Sequence, residues 1–462
     1  MRVSERITPI TRTIDPASIE VPAGYSIRPV LTELNYPTSV SWDVDGNLLI
    51  AEGGLPGHGV VADTERRILR LEADGSLTAV AGGFTQLIND ITVYRGMLYV
   101  SHRGKISVLQ DGCIRDLVVG LPSYGMYQNT SIVFDTAGRM YFGQGTVSNA
   151  GVVGPLALAD MEELTGALDA HDIPGASVVL TGQNYEVEHP RTGETRLTGA
   201  FSPWGTPTPA GHRIPGPAKG QAASGAIMRA NWDGSDLRVY AWGFRYPFGL
   251  AFGPEGRLYA TNAGANPLPP RPVAGDPDTL WLVEEGQWYG WPDYFAGRPI
   301  TDPSLQAPGA PRQEFLIANH EELLGGQPRP HIPVTSFGEM VSAAKLDFCL
   351  HPGFGFVDQA FVAEFGPVLA PMSGMPPDLS QGFRVVRVDV NDGTVYDFAV
   401  NRGGGPASAS GGGGLERPIE AKFGPDANLY IVDLGILRWQ EGERTWEAIP
   451  GTGVVWQVSR TG

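Results

Sequence analysis

The chain has 462 residues and a formal net charge of -17, from 33 Lys and Arg against 50 Asp and Glu. That balance argues against nucleic acid or an anionic membrane surface as a partner. Two cysteines, Cys113 and Cys349, exclude a disulfide framework and a cysteine-based zinc site. No stretch reaches the roughly 18 apolar residues of a membrane span. Met1 to Thr8 lacks the apolar core of a leader, so the expected location is the cytoplasm, or the periplasm or exterior if a leader precedes this sequence.

Residues 1–30 read as irregular surface chain. One hairpin pattern then recurs, with alternating apolar residues on either side of a Gly, Pro or Asp turn. Its copies are Ser39–Glu52, Asp90–His102, Ser131–Gln144, Gly243–Gly264, a degenerate pair Ala344–Phe348 and Phe361–Glu364, and Ile419–Asp433. Further strand pairs lie between copies, starting at Arg67, Gly225 and Phe383. Two hairpins per unit, repeated round a ring, make four-stranded propeller blades. The expectation is therefore an all-β fold, one six-bladed β-propeller domain over 1–462 with two long loop insertions, about 146–224 and 266–333. Leu156–Ala170 within the first insertion has helical spacing, and Gly403–Gly414 reads as a mobile loop. Gly453–Ser459 is expected to close the ring against the N-terminal segment.

A hairpin reverses direction, and the first strand of a blade lines the central channel. The residues just ahead of each repeat should therefore surround one mouth of that channel. They are Asn35 and Tyr36, Gln86 and Asn89, Tyr127, Gln128 and Asn129, Arg245 and Tyr246, Ser342, and Glu416 and Arg417. Glu52, His102, Gln144, Asn262, Glu364 and Asp433 end the second strands at the same level. Two readings fit: a ring that binds a polar ligand, or strand ends that are polar because they meet solvent. Glu52, Asn129, Asn262, Glu364 and Asp433 form a hard-oxygen set suited to calcium. His102 is the one imidazole in these sets, and His58 sits on the nearby loop Gly53–Gly59. Each is a candidate general base or a structural residue. No nucleophile elbow, phosphate loop or dinucleotide fingerprint is present.

The stretch Gly243-Phe-Arg-Tyr-Pro-Phe-Gly-Leu-Ala-Phe252 resembles the Gly-x-Arg-Asn-Pro-x-Gly-Leu-Ala-Phe motif of the soluble glucose/sorbosone dehydrogenases. Tyr289-Gly-Trp-Pro292, Arg417–Asp426 and Gly451–Trp456 match further stretches, so the resemblance spans most of 30–460. It implies a six-bladed propeller that oxidises a sugar or polyol at the channel mouth with pyrroloquinoline quinone (PQQ) and Ca2+. Arg245, Tyr246 and Arg417 would hold the cofactor, with Gln86, Gln128 and Asn129 beside cofactor and substrate. Glu52, Asn262, Glu364 and Asp433 would serve the metal. Tyr127 stands where the family has the His that takes the substrate's hydroxyl proton, which leaves Tyr127 or His102 for that role. The family's Arg-Asn pair becomes Arg245-Tyr246. A Lys expected near the fifth repeat falls in Glu364-Phe-Gly366 and is absent, and of two Arg before the sixth only Arg417 remains. A metal-dependent, lactonase-like hydrolase and a non-catalytic binding propeller stay open as alternatives.

Overall fold

A computed structural model describes residues 11–54, 65–110, 112–368, 380–440 and 445–461. The loop that carries His58 lies outside the described residues. Six antiparallel sheets form the blades of a propeller. Blade one is Pro37–Trp42, Leu48–Glu52, Arg66–Leu71 and Leu77–Phe84. Blade two runs from Ile88–Tyr94 to Cys113–Val119. Blade three pairs Asn129–Phe134 and Arg139–Gln144 with Ala226–Asn231 and Arg238–Trp242, on the far side of the first excursion. Blades four and five open on Pro247–Phe252 and Ala343–Phe348. Blade six is Pro418–Phe423, Leu429–Asp433, Gly453–Arg460 and, outermost, Tyr25–Leu34.

The C-terminal strand thus closes the ring against the N-terminal segment, as expected. The N-terminal chain is more ordered than its mixed composition suggests. Ile19–Glu20 also adds a fifth strand to blade five. Buried Arg12 pins the segment ahead of it, donating to Thr452 O (2.6 Å), Gly414 O (2.6 Å) and the carboxylate of Asp433. The second excursion differs from the sequence expectation: Asp278–Val283 within it is the third strand of blade four. The excursion is therefore two loops, 263–277 and 284–334. The predicted helix is present as Pro155–Thr165 and ends at Gly166. Gly403–Gly414 contains one helical turn, Ala407–Ser410, tied by Ser408 N to Glu416 (2.7 Å). Both cysteines are free, and no described helix is long and apolar enough to cross a membrane.

Local chemistry explains why the repeat was readable. Asp135 Oδ1 accepts the amides of Ala137 (3.0 Å) and Arg139 (2.8 Å) across its turn, and Asp43 repeats this with Asp45 (3.0 Å) and Asn47 (2.8 Å). Such side-chain turns favour Asp at the first position and Gly where φ is positive, as at Gly138 (φ 81°). The inner pair of every blade carries a register shift at its mouth end, after Pro37, Ile88, Asn129, Pro247, Ala343 and Pro418. A bulge re-aims side chains, so the mouth is built from irregular backbone in all six blades.

Hydroxyls stitch neighbouring blades together. Thr38 Oγ1 donates to Ile88 O (2.8 Å), Thr92 to Ile132 O (3.0 Å), Thr130 to Pro247 O (2.7 Å) and Thr261 to Ala344 O (2.7 Å). Valine fills the same space and cannot donate. Thr130→Val is expected to cost about 1–2 kcal/mol through the buried, unpaired carbonyl of Pro247, to be read from urea melts. Inside the channel, Lys345 bridges Asp90 (3.0 Å) and Glu420 (3.4 Å) and donates to Thr38 O (2.8 Å). At the turn end of the inner strands lies a cavity of about 290 Å³ that includes Tyr94, Phe134, Asp347 and Lys422.

Candidate small-molecule site at the channel mouth

The mouth pocket has a volume of about 130 Å³ and draws on blades three to six. Its polar residues are Tyr127, Gln128, Arg245, Tyr246, Asn266, Asp278 and Ser342, and Met126, Phe248, Met340, Phe365, Val368 and Ile419 supply most of its apolar wall. Tyr127 is set by a short extension of the blade-three ladder, in which Met126 N donates to Val147 O and Tyr127 N to Thr146 O, both at 3.1 Å. Gly145 opposes it. A Cβ there would lie 2.4 Å from Tyr127 Cβ and 2.7 Å from the Tyr246 ring, so only glycine lets the two tyrosines seat. Their rings pack with centroids 4.5 Å apart, tilted by 31°. The Arg245 guanidinium lies over Tyr127, 4.6 Å from its centroid.

Arg245 is fixed from several sides. Its guanidinium donates to Gly264 O, Asn149 Oδ1 (2.9 Å) and Asn266 Oδ1 (2.6 Å). Asn262 Oδ1 accepts the backbone amides of Arg245 (2.9 Å) and Tyr246 (3.0 Å). The helix Pro155–Thr165 packs Ala157, Leu158 and Met161 into the same apolar cluster as Met126, Tyr127 and Tyr246. Burial pushes Tyr127 up to about 12 and Tyr246 up as well. Both phenols are therefore neutral at physiological pH, which leaves Tyr127 without the anionic oxygen a base needs.

The other expected site residues are spent on structure. Asn129 is saturated: Oδ1 accepts Gly104 N (2.8 Å) and Ser123 Oγ (3.0 Å), and Nδ2 donates to Ser101 Oγ (2.8 Å), His102 O (3.0 Å) and Lys105 O (3.0 Å). His102 bonds Ser107 Oγ (2.7 Å), which donates to Asp116 (2.7 Å), all within blade two and away from the pocket. Burial lowers its pKa, which keeps it neutral. Gln86 is half-buried in the turn before blade two, outside the pocket lining. The Arg417 guanidinium sits 5.1 Å from each of the Phe365, Phe383 and Trp446 rings rather than at the pocket. Burial brings its pKa down to about 10.

The proposed metal ligands do not converge. They lie in four blades, and each fastens its own blade. Glu52 holds Asn35 N and Arg67 Nε, both at 2.7 Å. Asn262 holds the Arg245–Tyr246 entry, and Glu364 pairs with Arg384 Nε (2.7 Å). Asp433 accepts Glu416 N (2.9 Å), Arg417 N (2.8 Å) and Arg12. No group of three or more His, Cys, Asp or Glu able to hold a metal occurs among the described residues.

Two buried acids escaped the sequence reading because they sit in an excursion. Asp278 lines the pocket and accepts Gly264 N (2.7 Å) and Ala343 N (2.9 Å). Burial lifts its pKa to about 6 despite these amides and Arg245. Asp276 accepts Ala265 N (2.6 Å), and burial lifts it to about 7, with Arg245 and Arg298 opposing and Asp278 reinforcing. The only signal was an Asp-Pro-Asp in a Pro-rich loop. The pKa of Asp276 in the folded protein lies above its ordinary 3.8. The stability linked to its proton is therefore whole below that value and is lost as pH rises through 7. Asp276→Asn is expected to leave stability at pH 4 nearly unchanged and to raise it at pH 8 by an amount on the order of 1–3 kcal/mol. Urea melts at the two pH values check it.

No protein-family model and no curated protein matches the sequence. Solved structures do match it over nearly their whole length. The holo pyranose dehydrogenase PQQ domain from Coprinopsis cinerea superposes with a TM-score of 0.57 at 16% identity, over 96% of this chain and 97% of that one. The calcium structure of a Trichoderma reesei carbohydrate-active enzyme of family AA12 gives 0.55 at 12%, over 99% of each. The apo soluble aldose sugar dehydrogenase of Escherichia coli gives 0.52 at 14%, over 94% of this chain and 99% of that one. At such identities the shared property is the fold: this chain has the six-bladed propeller architecture of the PQQ-domain sugar dehydrogenases.

Proposed function

We propose that this propeller binds a compact small molecule in the mouth pocket and acts on it there. The apolar body lies against Phe248, Met340, Phe365 and Ile419, and a hydroxyl or carbonyl head lies at the end formed by Tyr127, Arg245 and Asp278. The observation that carries this reading is a concentration of unsatisfied polar atoms. Tyr127 Oη, Tyr246 Oη, Arg245 Nε and Asp276 Oδ1 are all buried at or beside the pocket without a hydrogen-bond partner. Each such atom costs about 1–3 kcal/mol, and native proteins carry few of them. A polar ligand head arriving with small side-chain shifts supplies what they lack.

Asp278, near 6, is a proton acceptor in the working range for acid–base catalysis, and neutral Tyr127 is a donor. Oxidation of a hydroxyl-bearing compound, a sugar or polyol derivative, is the activity that the names of the fold neighbours support; the hydroxyl proton would pass to Asp278 and the hydride to an exogenous two-electron acceptor, the dye in the assay below. The metal-dependent hydrolase reading has no ligand cluster behind it among the described residues.

The test is calorimetric binding and dye-coupled oxidation with benzyl alcohol, sorbitol and glucose, on the wild type and on Ala344→Leu. Ala344 lines the pocket, and its side chain carries no polar group. Filling the pocket is expected to weaken binding of the compact alcohol about 10-fold or more, since overpacking costs about 1–3 kcal/mol. Equal binding by both proteins, or none by the wild type, overturns the reading.

A further inference from the structure

We infer that the mouth of this propeller holds a closed tyrosine–arginine stack in place of a quinone site and takes no pyrroloquinoline quinone, with or without calcium. Charge and space each exclude the quinone, whichever small molecule the pocket accepts.

The quinone carries three carboxylates beside its ortho-dicarbonyl. A site for it must offer cations and free donors, because buried anions are tolerated only when paired and hydrogen-bonded. Arg245 is the single Lys or Arg in the pocket lining among the described residues. Three of its five N–H groups are already given to Gly264 O, Asn149 and Asn266. Arg417 is enclosed by three aromatic rings, and Lys345 is held between Asp90 and Glu420. On the other side of the balance stand two carboxyl groups, Asp278 and Asp276, for which burial already disfavours the anion. A trianion would meet one committed guanidinium and these two acids.

Space gives the same answer independently. The Tyr127 and Tyr246 rings pack with centroids 4.5 Å apart, tilted by 31°, and the Arg245 guanidinium lies over Tyr127, 4.6 Å from its centroid. They leave a cavity of about 130 Å³, against the roughly 300 Å³ at which ligand pockets for molecules of this kind begin. The stack is seated by backbone: the close approach at Gly145 fixes both tyrosines. The strand-end oxygens that would serve calcium lie in four separate blades, and all but Glu364 Oε1 are held by neighbouring groups.

The experiment is a titration of folded wild-type protein with pyrroloquinoline quinone, with and without calcium, read by calorimetry and by the shift in melting temperature. Tyr127→Ala/Tyr246→Ala, verified as folded by circular dichroism, is titrated in parallel. No saturable heat and no melting shift for the wild type is the expected result. Quinone binding gained only by the double variant supports the stack as the obstacle. Absence of binding in both proteins supports the inference through the charge argument. Calcium-dependent binding by the wild type with a Kd of about 1 µM or tighter overturns it. Benzyl alcohol titrated into the same wild-type sample separates the two ideas: its failure counts against the proposed function and leaves this inference standing.

Discussion

Lys345→Met is expected to cost about 3–5 kcal/mol, the range for removing one partner of a buried ion pair. Lys345 and Asp90 are 2% exposed and Glu420 is 3% exposed, so their charges are screened far less than those of a surface pair, although all three line the cavity at the turn end of the strands. The two carboxylates also hold backbone. Asp90 accepts Ile132 N (2.8 Å), and Glu420 accepts Val40 N (2.6 Å). A single ammonium on blade five thereby links blades one, two and six, and through Asp90 blade three. Chemical denaturation measures the loss. Lys345→Met/Glu420→Gln is expected to recover part of it, because one stranded charge is removed. A cost below about 1 kcal/mol, the range of an exposed pair, would contradict the account of the channel as a buried ionic hub.

Arg245→Met should abolish mouth binding within the measurable range, a loss of at least about 10- to 100-fold, because a hydrogen bond to a charged group is worth about 1.5–3 kcal/mol. It also strips donors from Gly264 O, Asn149 and Asn266, so a stability loss of about 2–4 kcal/mol accompanies it. Arg245→Lys separates the two effects. It keeps the charge and loses the planar fork, so it should retain more stability than methionine while still binding more weakly than wild type. Calorimetric affinities beside urea melts provide both readouts. An Arg245→Met protein that binds the compact alcohol as tightly as wild type would remove Arg245 from the site.

The propeller was legible because its signals are local. Asp43 and Asp135 close their turns with their own side chains, and each copy alternates within a few residues. What escaped depends on distant partners. Tyr25–Leu34 is a strand only because Gly453–Arg460 lies beside it, and Asp278–Val283 stands between Pro-rich loops with no repeat to frame it. The mouth was partly legible for the same reason. Chain reversal alone brings Tyr127, Gln128, Arg245, Tyr246 and Ser342 to one place, and all five line the pocket. Composition does not distinguish a polar strand end that binds a ligand from one that caps a bulged backbone. Glu52, Asn262 and Asp433 do the second. Asp276 and Asn149 reach the mouth from excursions, whose paths no periodicity dictates, and Asp278 opens a blade-four strand that no repeat framed.

The most direct test of the mouth pocket as the functional site is a crystal structure of the wild-type protein soaked with small alcohol, aldehyde and carboxylate fragments. The account predicts density between the Tyr127–Arg245 end and the Phe365–Ile419 wall, with the fragment's polar atom within hydrogen-bond distance of Tyr127, Arg245 or Asp278. Fragments found only in the cavity at the opposite end of the channel, near Asp347 and Lys422, with the mouth left empty, would contradict it.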